Sequence, residues 1–361
     1  MKFNLKMVQD KFAKFIKIGK QDSNKYFVQY QDGKLFIVFT RDDVTTLYDK
    51  SPVLSIDLGE TIFKLPYTTF NKLTAKDGTI VDDVVNGVKL KAGKLTLELS
   101  QDITPVEPTD MSSLVTDIKL SYGDLLSITT KIADFADGSH THEALGFVNF
   151  SGKDSALDVV ATDGSRLALL EGVNNQTPNY IADYMVSSLE LKNLSKVLKY
   201  YKDKPIELAR LDKYNVLAKI GNDVYKLAST DGNYPRYGQL IPLSNSNQHS
   251  VYAKLLIGVL KQIKSFVNER TKIIKIDFKE RILYCNDDIS GNMIDAKYDD
   301  AFISDENNNV NELAFNLDFL LEAIKTFDDT QPITLQGNGA LSPWLFTQGN
   351  HTHLLMPIQT K

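Results

Sequence analysis

The stretch Ser188-Leu189-Glu190-Leu191-Lys192-Asn193-Leu194-Ser195-Lys196-Val197-Leu198-Lys199 decides the fold. Leu191, Leu194, Val197 and Leu198 recur at helical spacing, which predicts a helix starting near Ser188 with one buried stripe. Three alternating runs follow, Ile206 to Leu211, Asn215 to Ile220 and Val224 to Ser229, and each reads as a strand. The unit is a helix followed by strands, and it recurs. A helix is expected near Tyr67, introduced by Pro66, and another near Leu317, where Leu320, Leu321, Ile324 and Phe327 supply the stripe. The three starts lie roughly 120 to 130 residues apart, the mark of an internal repeat.

A second helix opens each copy. Its apolar residues are Val8, Phe12, Phe15 and Ile16 in the first copy. In the second they are Leu125, Ile128, Ile132 and Phe135, ended by Asp137-Gly138; in the third, Leu256, Val259, Ile263 and Phe266. Short alternating runs follow, separated by the turn signals Gln31-Asp32-Gly33, Ser151-Gly152-Lys153 and Asp287-Asp288. The expected class is α+β: three repeated domains, each of two helices packed on antiparallel sheets. Loop-like boundaries at Thr104-Pro105-Val106-Glu107-Pro108 and Asn245-Ser246-Asn247 divide the chain into an N-terminal domain 1–112, a middle domain 113–244 and a C-terminal domain 245–361. Three copies of one module without a cofactor fingerprint point to a shaped scaffold rather than a catalyst.

Composition agrees. At 361 residues the chain has room for two or three cored domains, and 42% hydrophobic against 24% charged residues sets disorder aside. No apolar run reaches the ~18 residues of a membrane span, and Met1-Lys2-Phe3-Asn4-Leu5-Lys6 lacks the apolar core of a signal peptide. Cys285 is the only cysteine, which rules out an intrachain disulfide or a cysteine-based zinc site. The expected compartment is the cytoplasm.

A net charge of −5 argues against nucleic acid only if charge is spread evenly. It is not. Lys11, Lys14 and Lys17 recur every three residues, with Lys20 just beyond. Lys192, Lys196 and Lys199 share one helix face, and Lys254, Lys261 and Lys264 belong to the third copy. Acids gather instead in turns and strand ends, at Asp42-Asp43, Asp82-Asp83, Asp287-Asp288, Asp299-Asp300 and Asp328-Asp329. For one helix alone, a solvated face is explanation enough. Recurrence in three copies points to a basic lining that binds phosphates without reading sequence.

Catalysis finds little foothold. His140-Thr141-His142, followed by Glu143, and His351-Thr352-His353 are His-x-His pairs that could each form half a metal site on a strand. A hydrolytic centre needs a third ligand and a base, and no His-Glu-x-x-His or Asp-rich cluster occurs, so these read as polar loop and strand-edge histidines. Gly337-Asn338-Gly339 lacks the third glycine of a phosphate loop and reads as a turn. No nucleophile elbow or kinase set is present. No metal or cofactor is expected. Asp163-Gly164 reads as a hairpin turn, and His353-Leu354-Leu355-Met356-Pro357-Ile358 as an apolar strand stopped by proline.

At these last residues the chain resembles the bacterial DNA polymerase III beta subunits, the sliding clamps. Ala161-Thr162-Asp163-Gly164-Ser165-Arg166-Leu167-Ala168 is similar to the family's signature hairpin. Thr230-Asp231-Gly232-Asn233-Tyr234-Pro235-Arg236-Tyr237, followed by Leu240-Ile241-Pro242, resembles the end of its middle domain. Phe315-Asn316-Leu317-Asp318-Phe319-Leu320 resembles the start of its last helix, and Leu355-Met356-Pro357-Ile358 its C-terminal motif. The motifs fall in the family's order and spacing, and with the repeat the likeness spans essentially the whole chain, most weakly in the first domain.

The resemblance implies a head-to-tail homodimer closing into a ring around duplex DNA, with helices lining the hole. It implies a non-catalytic processivity factor for the replicative polymerase in DNA replication, reached by polymerase and clamp loader through a short clamp-binding peptide. Carried over by motif, Thr162, Gly164, Arg166 and Leu167 would form one wall of the peptide pocket, with Pro235 and Leu240 below. Asn316, Phe319, Leu341, Leu354, Met356, Pro357 and Ile358 would form the rest, joined by Leu145. Leu97, Leu99 and Phe266 are the expected dimer contacts, and the lysines above the DNA-facing set. Ser165 stands where the family commonly has His or Tyr, Gln239 where it often has Arg, and Gln359-Thr360-Lys361 extends the tail. These departures bear on peptide preference and would suit a clamp tuned to its own polymerase, such as one carried by a phage or plasmid. Two other readings compete: a clamp-fold regulator or decoy that does not encircle DNA, and a metal-dependent nucleic-acid enzyme built on the His pairs.

Overall fold

The computed structural model describes residues 2–6, 9–10, 26–31, 34–41, 45–49, 63–74, 77–83, 87–98, 111, 113–139, 142–153, 155–177, 183–221, 223–286, 291, 293–306 and 310–360. The first third holds β1 (Lys2–Asn4), β2 (Tyr26–Gln31), β3 (Lys34–Arg41), β4 (Thr45–Asp49), β5 (Phe63–Pro66), α1 (Tyr67–Asn71), β6 (Asp77–Asp83), β7 (Gly87–Ala92) and β8 (Leu95–Glu98). The second holds β9 (Ile118–Leu120), α2 (Tyr122–Ser127), β10 (Phe147–Lys153), β11 (Ala156–Thr162), β12 (Arg166–Asn174) and β13 (Asp183–Ser187). It continues with α3 (Ser188–Leu198), β14 (Ile206–Arg210), β15 (Asn215–Ile220) and β16 (Asp223–Thr230). The last opens with β17 (Asn247–Tyr252), α4 (Ala253–Ile263), β18 (Ile273–Asp277), β19 (Ile282–Asn286), β20 (Met293–Lys297) and β21 (Phe302–Glu306). It closes with β22 (Glu312–Asn316), α5 (Leu317–Ile324), β23 (Pro332–Gly337), β24 (Trp344–Gln348) and β25 (His351–Leu355).

The same pairing recurs in each third. The strand entering the later helix pairs with the first of a three-strand meander, as β5 with β2, β13 with β10 and β22 with β18. The opening strand pairs with the first strand of a second meander, as β1 with β6, β9 with β14 and β17 with β23. All pairs are antiparallel, as expected for an α+β module.

The chain forms two compact units. One holds Met1–Thr129, Asn175–Tyr180 and Leu189–Asp231; the other holds Thr130–Asn174, Ile181–Ser188 and Gly232–Lys361. The 113–244 stretch is thus shared between them. The cause lies in the strand edges. In the first unit β4 pairs with β16, so one sheet runs β5-β2-β3-β4-β16-β15-β14-β9. In the second β12 pairs with β25, so one sheet runs β13-β10-β11-β12-β25-β24-β23-β17-β21.

Burial follows the periodicity. Leu191, Leu194, Val197 and Leu198 of α3 are buried, as are Leu317, Leu320, Leu321 and Ile324 of α5. In the second unit Phe278 stacks on both His249 and Trp344, with centroids at 3.8 and 5.4 Å, and those two rings are 5.9 Å from each other. The indole covers the end of β23, and a Cβ at Gly337 would lie 2.7 Å from its ring.

Three expectations are corrected. The run from Leu125 to Phe135 is not one α-helix: α2 ends at Ser127, a π turn covers Ile128–Ile132 and a 3-10 turn covers Ala133–Phe135. Ile128-Thr129-Thr130 is a β-branched run of weak helix formers, and the Thr129 hydroxyl donates to the Leu126 carbonyl at 3.1 Å. Ser151-Gly152-Lys153 lies within β10, not in a turn. Asn247 is the buried first residue of β17, its amide donating to the Gly337 carbonyl at 2.9 Å. Val8, Phe12, Phe15 and Ile16, the 104–108 boundary and Asp287-Asp288 lie outside the described residues.

Candidate partner-peptide groove

The expected groove residues all lie in the second unit, the first of them on the β11–β12 hairpin. Gly164 takes the turn at φ +87, which a side chain would resist. The Thr162 hydroxyl donates to the Arg166 carbonyl at 2.6 Å and accepts from the Gly164 amide at 3.1 Å. One Asp163 oxygen accepts from the Ser165 and Arg166 amides, at 2.9 and 3.0 Å. The hairpin thereby aims Arg166 inward. Its Nε donates to the other Asp163 oxygen at 2.9 Å, and its terminal nitrogen to Glu322 at 2.5 Å. The guanidinium sits between two aromatic rings, 4.7 Å from the Phe135 centroid and 4.4 Å from that of Phe319.

Next to this pin the sheet supplies an apolar floor. Leu167 pairs with Leu354, and Leu354 with Leu345. Cross-strand partners share a face, so these three join Val160 and Leu169 in one buried cluster, with Tyr234, Tyr237 and Ile241 packed against it. The Tyr237 amide donates to the Pro235 carbonyl at 2.8 Å and starts the short turn that carries Leu240. Leu240 is 53% exposed, Leu341 71% and Met356 45%, a set of apolar side chains left in water at the strand ends. The tail that bears Met356 and Pro357 is held by the Ile358 amide, which donates to the Ala314 carbonyl at 2.7 Å. Asn316 caps α5, its side chain accepting from the Asp318 and Phe319 amides at 3.0 and 3.2 Å, and so sets Phe319 in place. Leu145 is buried in the 3-10 turn Glu143–Gly146, whose Leu145 carbonyl accepts from the Asp137 amide at 2.8 Å. The expected residues thus divide into a buried apolar cluster, exposed Leu240, Leu341 and Met356, and one buried polar pin at Arg166.

A family model of the DNA polymerase III beta subunit, C-terminal domain, matches residues 238–359. A beta sliding clamp of Synechococcus elongatus is 27% identical over 237 residues, 62% of this chain and 60% of the relative. A beta sliding clamp of Bacillus subtilis is 27% identical over 247 residues, 66% of this chain and 63% of the relative. The chain spans less than two thirds of the length of either relative in these matches. A crystal structure of the Bacillus subtilis DNA polymerase sliding clamp superposes with a TM-score of 0.85 at 18% identity, over 100% of this chain and 99% of that one. Residues 238–359 thus match the C-terminal domain of the DNA polymerase III beta subunit, and the whole chain has the fold of the solved sliding clamps.

The basic residues divide. Lys11, Lys14, Lys17 and Lys20 lie outside the described residues. Lys196 and Lys199 are exposed at the C-terminal part of α3 and the turn after it, and Lys192 is half-buried. Lys196 donates to the Asn193 side chain at 2.7 Å, and the Lys199 ammonium lies 5.3 Å from the Tyr200 ring centroid. Lys254 and Lys261 are exposed on α4. Lys264 instead pairs with Asp318 at 2.8 Å, while Lys272 holds the other oxygen at 2.5 Å. These two bonds keep the Asp318 carboxyl below the usual carboxylate range. A cleft of about 540 Å³ opens there, bounded by Lys264, Val267, Lys272 and Leu317. Of the expected dimer contacts, Leu97 is half-buried in β8, Phe266 is 50% exposed after α4, and Leu99 lies outside the described residues.

The His-x-His expectation needs correcting. His140 lies outside the described residues and His142 is exposed before the Glu143 turn. His351 and His353 are not at a strand edge: β25 lies between β12 and β24, and both rings are buried. Their centroids are 4.6 Å apart, packed on Phe327 and Phe135. The Thr326 hydroxyl donates to the Ala323 carbonyl, so it accepts from His353 Nε2 at 2.7 Å. Burial lowers both imidazoles, His351 to about 3 with Lys131 adding to the effect, His353 well below its usual value. Among the described residues no three His, Cys, Asp or Glu side chains converge as metal ligands, and no helix is long and apolar enough to cross a membrane.

Sequence reasoning missed Phe135 and Glu322 as the partners of Arg166, and the fully exposed Leu243 beside the Tyr237–Leu240 turn. A leucine in the polar run Pro242-Leu243-Ser244-Asn245 was the available signal for the last. The first two depend on which strands and helices meet, and no local pattern carries that.

Proposed function

We propose that the protein is a replicative sliding clamp: two copies join head to tail into a ring around duplex DNA and tether a polymerase without catalysing a reaction. The polymerase and its loader dock by a short peptide in the groove of Arg166, Leu167, Leu240, Leu341 and Met356, and the protein works in the cytoplasm. The effect is a raised local concentration of polymerase at the primer end.

The observation that carries this reading is the repetition of the module junctions. The last strand of one meander pairs with the last strand of the next third's second meander, as β4 with β16 and β12 with β25. By the same rule β20 requires a partner equivalent to β16 and β25, and that strand is β8. Among the described residues β20 pairs only with β19, and β8 only with β7. Their apolar Leu95 and Met293 are exposed. An open strand edge invites a second chain, and a β20 to β8 junction between copies would use the rule a third time. Exposed Lys196, Lys199, Lys254 and Lys261 supply nonspecific phosphate contacts on the helices.

The deciding experiment is retention on primed circular DNA against the same DNA linearised, with a cognate loader or at high protein concentration. Retention that linearisation abolishes supports a topological ring. Equal binding to both, or to neither, overturns it. Leu97→Asp combined with Phe266→Asp is expected to give monomers by sedimentation. A persisting dimer removes these residues from the interface.

A further inference from the structure

We propose that Leu243 is a further specificity-determining contact of the partner groove, held in place by Asn338, and takes one more apolar side chain of the docking peptide. The inference rests on the docking reading above. It starts from a loop that is unfavourable by itself. Leu243 is fully exposed, and the nearby Asn245 side-chain oxygen is buried without a hydrogen-bond partner. A leucine left wholly in water forgoes burial, and an unpaired buried acceptor carries its full desolvation cost. Such a segment keeps one conformation only where its surroundings hold it.

Asn338 does the holding, from 94 residues beyond Ser244 in the chain. Its side chain uses both ends of the amide. Nδ2 donates to the Ser244 carbonyl at 2.7 Å, and Oδ1 accepts from the Ser246 amide at 2.8 Å. The turn that carries Asn338 is itself fixed: the Gly339 carbonyl accepts from Trp344 Nε1 at 3.0 Å and from the Ser342 amide at 3.3 Å. On the other side of Leu243, Ile241 packs against the buried cluster of Leu167, Leu345 and Leu354, and Pro242 restricts the backbone between them. The Leu243 backbone is thus tied at both ends while its side chain stays in water. The same clasp fastens this segment, with exposed Leu240, to the turn that carries exposed Leu341. Neither 237–246 nor 337–343 contains a charged residue, so the patch suits an apolar side chain rather than an ionic one. A leucine whose backbone is already ordered gives up little further freedom on contact.

The test uses the full-length protein and short synthetic peptides with the same leucine and phenylalanine anchors. Each is extended, at one end or the other, by glycine and then by either leucine or serine. Fluorescence polarisation is expected to give the leucine-extended peptide about fivefold tighter binding than its serine counterpart at one of the two ends. Leu243→Ser should bring the two peptides to equal affinity. Asn338→Ala should reduce the ratio to about twofold. Asn338→Asp keeps the acceptor for Ser246 but loses the donor to Ser244, and should fall between Asn338→Ala and the unaltered protein. Each ratio compares two peptides on one protein, so a general loss of stability does not move it. Equal affinity at both ends, or a ratio that survives Leu243→Ser, overturns the inference and leaves the groove standing. A ratio lost in Leu243→Ser but intact in Asn338→Ala overturns the role of Asn338. Binding of none of the peptides overturns the docking reading as well.

Discussion

Lowering the pH from 7 to 5 is expected to cost the folded protein about 2 kcal/mol through His351, with His353 adding in the same direction. Both imidazoles titrate near 6.5 in the unfolded chain and are held far lower in the fold, His351 at about 3. A depressed histidine pKa means that the unfolded state takes up protons first. Stability is therefore present in full above pH 6.5 and drains away as pH falls toward the folded values. The cause is burial: neither ring nitrogen of His351 has a hydrogen-bond partner among the described residues, and Lys131 repels an added proton. Asp318, Glu312 and Asp328 have carboxyls held low, so their loss comes at more acid pH and does not confuse this window. Urea unfolding at pH 7, 6 and 5 reads the slope. His351→Leu with His353→Leu should flatten it, and an unchanged slope in that variant would remove the pair as its source.

Arg166→Ala is expected to cost about 3 kcal/mol, at the low end for breaking a buried ion pair. The low end applies because Glu322 is exposed and rehydrates, and Asp163 keeps its two backbone donors. What cannot be recovered is the guanidinium between Phe135 and Phe319. Arg166→Lys should lose about 1–2 kcal/mol, since a point charge replaces neither the forked contacts nor the stacking. Urea midpoints at constant slope measure both. Since Phe319 and Met356 flank the same groove, peptide affinity should fall in both variants. A loss below about 1 kcal/mol in Arg166→Ala would mean the pin is decorative.

Much of this was legible beforehand. Helices begin at Tyr67, where Pro66 introduces one, and at Ser188 and Leu317, where the apolar stripes place them, and Asn316 caps the last. The Asp163-Gly164 turn lies between β11 and β12 as expected. These features are local, decided by residues within one turn of each other. The errors are of another kind. The stripe from Leu125 to Phe135 has helical spacing, but the β-branched run Ile128-Thr129-Thr130 leaves α-helical geometry within it. His351 and His353 read as strand-edge residues because histidine is polar, yet β12 and β24 pair with β25 on its two sides.

The sequence alone determined the repeated module, the helices that begin at Ser188 and Leu317, and the placing of Lys192, Lys196, Lys254 and Lys261 on helices. It did so because periodicity, capping and turn chemistry act over a few residues. Only the tertiary structure decided that β4 joins β16 and β12 joins β25, that two histidines are sealed inside, and that Arg166 is spent on Asp163 and Glu322. Every strand edge offers the same backbone donors and acceptors, so nothing in one edge names its partner. That choice emerges only when distant side chains find a common core.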